Sequence, residues 1–170
     1  MNTALAAYYG KSFGSWVIRF RTWSNVTHVA LVDLETMRTC EAWRGSVQMV
    51  DSPMELHTPG TRILLYELKD GLSELQEQDL WGFLEEQEGK PYDWGAILGF
   101  GLRQEKEDPS KWFCSELAAA AYESVGVPLL ERVPRYKIYP ELLTYSTLLA
   151  GPYDYDAWAE QNIAARTVMT

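Results

Sequence analysis

The hydrophobic pattern of this chain changes period near Gly71, and that change limits the folds open to it. Before it, "NVTHVALVD", "MRTCEAWRG", "VQMV" and "TRILLYELK" are rich in β-branched and aromatic residues. Turn-like segments divide them: "LET" after the first, and the loop from Pro53 to Gly60 before the last. Side chains alternate along a strand with period two, so these segments predict an antiparallel sheet of about four or more strands, the first two joined as a hairpin. Beyond Gly71 the spacing becomes helical. "SELQEQDLWGFLEEQEG" sets Leu75, Leu80, Trp81 and Leu84 on one stripe and stops at Gly89, "FCSELAAAAYESVG" is an alanine-rich helix ended by Gly126, and "YPELLTYSTLL" opens another with Pro140 in its first turn. Ahead of the strands, "SFGSWVIRFRTW" spaces Phe13, Trp16, Val17 and Phe20 as a short amphipathic helix capped by Ser12, and "YDWGAILGFGL" reads as a short helix broken by its glycines. Strands first and helices after, without repeat or linker, predict an α+β fold with a small antiparallel sheet packed against helices.

A chain of 170 residues, 46% of them hydrophobic, builds one domain with a real core and is short for two. A single domain over 1–170 is expected, with its core over about 12–148 and a C-terminal tail over 151–170. The net charge of -9 repels phosphate backbones, so nucleic acid is not an expected partner. Arg132, Arg135 and Lys137 form a small basic group that reads as a solvated loop. The longest nearly uncharged run, "YDWGAILGFGL", falls short of the roughly 18 residues a membrane span requires, so no integral membrane segment is expected. Two cysteines cannot build a disulfide framework, and "MNTALAAYYGK" lacks the basic start and long apolar run of a secretion signal. Both features favour a reducing, cytoplasmic location.

Cys114 stands where the alanine-rich helix begins, and there unpaired N–H groups and the positive end of the helix dipole favour a thiolate. Taken alone, a free cysteine is more often a small buried hydrophobe. A nucleophile also needs a base, and His28 and His57 carry the chain's two imidazoles. Strand alternation puts Val26, His28, Ala30 and Val32 on one face, which sets a titratable ring in an apolar row, whereas His57 in "MELHTPG" reads as a solvated loop residue. If the hairpin turns about Leu34 and Glu35, residues whose numbers sum to 69 face one another, and Glu41 lies opposite His28. A carboxylate there holds the imidazole's tautomer and stabilises the imidazolium, as the third group of a catalytic triad does. The bland alternative for Glu41 is an exposed strand residue paired with a nearby cation. Cys40 then packs on the face away from this site, and Ser115 and Glu116 serve the first turn of the helix.

The order His, acid, Cys, with "THVALV" around the histidine, "FCSEL" around the cysteine and "IYPELL" after it, resembles the circularly permuted papain-like cysteine hydrolases. That superfamily includes NlpC-type cell-wall peptidases and the lecithin:retinol acyltransferase-like group, and the likeness spans about Ser12 to Leu143. It implies a small antiparallel sheet on which the nucleophile helix docks. "GKPYDWG" looks like the "PYxWGG" stretch that precedes the nucleophile in non-permuted members, with Ala96 in place of the second glycine, and this implies Tyr92 as an oxyanion or substrate contact. The other reading of Tyr92 is a turn packed against Trp94.

These residues together predict acyl transfer through a thioester. His28 takes the proton of Cys114, the sulfur attacks an amide or ester carbonyl, water resolves the acyl-enzyme, and the Cys114 N–H is the first oxyanion donor. By the resemblance, substrates are cell-wall or other peptides first and acyl esters second, the latter making the chain an acyltransferase or thioesterase. Trp43, Trp94 and Trp112 are available to line a groove. A cell-wall substrate would require delivery by lysis, a virus particle or a secretion apparatus. No cofactor and no metal are called for: zinc held by Cys114, His28 and an acidic residue would lack the tight Cys-x-x-Cys or His-x-x-x-His clustering of such sites. A non-catalytic binding or structural module with the same fold is the remaining alternative.

Overall fold

The computed structural model describes residues 2–10, 24–95, 108 and 110–168. Strands β1 (Thr3–Tyr9), β2 (His28–Asp33), β3 (Thr39–Trp43), β4 (Ser46–Val50), β5 (Arg62–Leu68) and β6 (Leu149–Asp154) form one sheet, ordered β4-β3-β2-β1-β5-β6. Every neighbouring pair is antiparallel. Helices α1 (Glu74–Gln87), α2 (Cys114–Ser124), α3 (Pro140–Thr144) and α4 (Tyr155–Val168) complete the α+β architecture that the change of period predicts. Among the described residues no helix is long and apolar enough to cross a membrane.

Two strands come in addition to the four read from the sequence. β1, "TALAAYY", is dominated by alanine, a weak strand former, yet it lies at the centre of the sheet with Thr3 to Tyr8 buried; burial on both faces overrides local propensity. β6, "LAGPYD", contains glycine and proline and occupies the sheet's edge, where a missing N–H costs no ladder bond. The segment expected as a tail from Gly151 therefore carries the end of β6 and all of α4. The helix read from Ser12 and most of "YDWGAILGFGL" lie outside the described residues.

Strand alternation divides the sheet into two apolar faces. Leu5, Ala7, Val29, Leu31, Cys40 and Ala42 pack with Leu80, Trp81 and Leu84 of α1 and with Leu117, Ala118, Ala121 and Tyr122 of α2. Ala4, Ala6, Tyr8, Ala30, Val32 and Leu65 form the other face, against which Met54, Tyr155 and Trp158 pack. Cys40 lies on the α2 face, buried. Leu75 does not join the α1 stripe and is 71% exposed, because at 3.6 residues per turn it stands about 140° around the helix from Leu80.

Helix α1 starts at a capping box: Ser73 Oγ accepts the Gln76 N–H at 3.3 Å and Gln76 Oε1 accepts the Ser73 N–H at 3.1 Å. Helix α2 ends in a Schellman turn, with the Val127 N–H reaching the Tyr122 carbonyl at 3.0 Å and Gly126 in the left-handed conformation at φ 77°. Four consecutive alanines, Ala118 to Ala121, let this helix sit close to the sheet, and all four are buried.

Candidate functional site

The site begins where β2 and β3 separate. Their ladder consists of Leu31 opposite Cys40 and Val32 opposite Thr39, so paired numbers sum to 71 and not to the 69 expected from a turn at Leu34 and Glu35. The turn is longer because the Asp33 carboxylate accepts the Glu35 N–H at 3.0 Å and the Thr36 hydroxyl at 2.7 Å, while Met37 takes a positive φ of 68°. A shift of two preserves which face each side chain occupies, so Glu41 stays on the His28 side, diagonal to it rather than directly opposite. The Asp33 N–H bonds to Arg38 O at 2.9 Å, so by alternation odd-numbered residues of β2 direct their amides toward β3. With the ladder ended at Leu31, the Val29 amide is left for another acceptor. It acts on the Cys114 sulfur, whose thiol pKa it lowers.

On the opposite face of the opening three polar side chains converge. His28 Nε2 lies 2.7 Å from Glu41 Oε2, and His57 Nε2 lies 2.9 Å from the same oxygen. The side chains of His28, Glu41 and His57 are 1%, 0% and 5% exposed, so this is a buried cluster. Burial alone would raise the Glu41 pKa, but hydrogen bonds from the two imidazoles outweigh it and hold the carboxyl down to about 2. An ionised carboxylate only accepts, so both Nε2 atoms carry protons. Burial lowers the His28 pKa more than Glu41 raises it, so the ring is neutral with its lone pair on Nδ1. Nδ1 is buried and has no hydrogen-bond partner among the described residues; the same holds for Glu41 Oε1.

His57 reaches the cluster because its loop folds back onto the sheet instead of projecting into solvent. The Tyr8 hydroxyl donates to Pro53 O at 3.0 Å, and the Tyr8 ring stacks on His57 with centroids 4.1 Å apart. Trp43 covers both imidazoles, at 4.6 Å from His28 and 5.2 Å from His57. A small pocket lined by Thr27, Arg44, Thr58 and Thr61 reaches His28 and His57. His57 is thus a site residue that sequence reasoning missed; between proline and glycine it follows no strand or helix period.

Cys114 is buried in the first turn of α2, on the face opposite the His28 ring. Burial pushes its thiol up to about 12, against the lowering effect of the Val29, Ser115 and Cys114 amides. The helix-terminus expectation of a low thiol pKa is therefore corrected: loss of water outweighs the dipole. His28 Nδ1 has no partner among the described residues, so no hydrogen bond joins the thiol to the imidazole; what links the two is Val29, the residue after His28, whose amide lowers the Cys114 thiol pKa. Tyr92 is also buried beside this helix start. Its N–H bonds to Gly45 O at 2.8 Å, its ring lies 5.8 Å from Phe113, and burial, followed by the nearby Cys114, raises its hydroxyl pKa. It also meets Trp94 edge-on at 4.9 Å, the packing arrangement read from the sequence. Glu116 Oε2 accepts the Phe113 N–H at 3.3 Å, as a first-turn role predicts, whereas Ser115 donates to Ile138 O and ties α2 to the segment before α3. Trp94 is 57% exposed and Trp112 donates to Gln87 at 3.2 Å, so only Trp43 of the three tryptophans touches the histidine cluster.

No protein-family model and no curated protein matches the sequence. A solved structure, described as the metalloprotein yiiX from Escherichia coli O157:H7, DUF1105, matches with a TM-score of 0.69 over 91% of this chain and 97% of that one, at 18% identity. The likeness is one of fold. These findings overturn the resemblance to the permuted papain-like, NlpC-type hydrolases and the lecithin:retinol acyltransferase-like group. "THVALV", "FCSEL" and "IYPELL" fall on one strand and two helix starts, and such elements do not by themselves fix a function.

Proposed function

We propose that this protein is a cysteine-dependent hydrolase that cleaves an amide bond through a thioester on Cys114. The observation that carries the reading is the free lone pair of His28: its Nε2–H is committed to Glu41, which leaves Nδ1 buried and without a partner among the described residues, while the amide of the next residue, Val29, acts on the Cys114 sulfur. Substrate binding brings the thiol to the imidazole, and its proton passes to Nδ1. The sulfur then bonds to the carbonyl carbon. The C–N bond breaks, with the His28 proton leaving on the amine, and water hydrolyses the thioester to a carboxylic acid and the restored thiol. Glu41 steadies the imidazolium in between. The amides of Val29, Ser115 and Cys114 stabilise negative charge on sulfur. A peptide or isopeptide is the first substrate class; an acyl ester follows the same path with an alcohol leaving. A second reading, a divalent-metal centre, is favoured by the His28, Glu41 and His57 donor set and by the description of the structural neighbour as a metalloprotein.

Electrophilic peptide and acyl probes test the proposal on wild type and three variants. Labelling is expected on wild type, absent in Cys114→Ala, slowed about 100-fold or more in His28→Ala, and slowed by no more than that in Glu41→Gln, which acts through the imidazole by disturbing its tautomer. Equal labelling of all four proteins ends the proposal.

A further inference from the structure

His28, Glu41 and His57 each offer one ligand atom, and the three atoms lie within 4.8 Å of one another. We infer that these side chains form a divalent-cation site of the zinc type whose occupation silences Cys114, an inference that rests on the hydrolase reading for its regulatory half. Two imidazoles and one carboxylate are a donor set suited to zinc. The cluster carries a buried carboxylate, and a divalent ion compensates that charge without water. Glu41 Oε1, buried and without a partner among the described residues, supplies a second oxygen for the ion. The pocket lined by Thr27, Thr58 and Thr61 gives the ion a route in. Metal–ligand bonds of about 2.0–2.2 Å set neighbouring donors about 3.3 Å apart. The present 2.7 and 2.9 Å separations therefore open by roughly half an ångström, less than a rotamer change moves these atoms.

Silencing follows from the tautomer. A neutral imidazole that ligates through Nε2 carries its single proton on Nδ1, so binding moves the His28 proton from one nitrogen to the other through solvent. The lone pair needed to receive the Cys114 proton is then gone. No bond to sulfur is involved, and His57, which makes no contact with the thiol in this scheme, is the residue that separates cation binding from thiol chemistry.

The test uses the full chain stripped of metal by a chelator and then titrated calorimetrically with Zn²⁺ alone. One ion per chain is expected, unchanged in Cys114→Ala and weakened by more than about tenfold in His57→Ala and in the closer mimic His57→Gln. Circular dichroism confirms that each variant is folded. With Co²⁺ in place of Zn²⁺, the spectrum should lack thiolate-to-metal charge transfer. Zn²⁺ should also suppress probe labelling of Cys114, with recovery on chelation. Absence of stoichiometric binding, binding lost in Cys114→Ala, or a thiolate band overturns the site. Labelling indifferent to bound Zn²⁺ overturns the silencing. If Zn²⁺ binds with the expected variant pattern and no probe labels the zinc-free protein, the cation site stands and the hydrolase reading fails.

Discussion

At Cys114 two influences oppose one another: burial disfavours the thiolate, and the amides of Val29, Ser115 and Cys114 itself favour it. Burial wins, so the resting side chain is a thiol whose pKa stands at about 12. A thiol reacts through its ionised form, and below that value the ionised fraction rises tenfold per pH unit. Alkylation of Cys114 by iodoacetamide, followed by peptide mapping to separate it from Cys40, is therefore predicted to climb steadily between about pH 7 and 10 without a plateau. The unfolded chain should level off near the ordinary thiol value of about 8.5. A plateau below pH 8 in the folded protein would show a thiolate already poised at rest. His28 and Glu41 illustrate what one residue's position tells in advance: alternation alone sets both on one face, and that parity survives the two-residue difference in register. His57 shows the opposite case. Its place beside Glu41 depends on Tyr8 and on the backbone at Pro53, contacts between segments that no local pattern announces.

Among the elements, α1 and β1 are joined by a buried polar staple. Glu77 accepts the Thr3 N–H at 3.0 Å and the Thr3 hydroxyl, and the Trp81 indole N–H donates to that hydroxyl's oxygen at 2.9 Å. A buried donor deprived of its acceptor costs about 1–3 kcal/mol. Glu77→Ala is predicted to lower stability by that amount in urea, as a fall in the transition midpoint at unchanged slope, and Glu77→Gln, which keeps a carbonyl acceptor, by less. An unchanged midpoint in Glu77→Ala would mean that Thr3 has another partner. The elements legible from sequence were those with a strong period or a clear start signal: β2, β3, β4 and β5, then α1, α2 and, from Pro140 in its first turn, α3. β1 and β6 were not, because "TALAAYY" is written in helix-favouring alanines and "LAGPYD" in turn residues; their strand state comes from neighbouring strands on both sides for β1 and on one side for β6.

Over the whole molecule, the two-faced sheet explains why the candidate site is divided. α2 brings Cys114 to one face, the loop between Pro53 and Gly60 brings His57 to the other, and the gap where β2 leaves β3 lies between them. The change of period predicted the α+β class but carried no information on this gap, which arises from a ladder ending after two pairs. The most direct measurement of the central claim is intact-protein mass spectrometry during a single turnover with a p-nitrophenyl acyl ester. One acyl group is predicted on Cys114, decaying as water resolves the thioester, absent in Cys114→Ala and formed about 100-fold more slowly in His28→Ala. An adduct that forms elsewhere, or at the same rate on Cys114 without the His28 imidazole, would contradict the account.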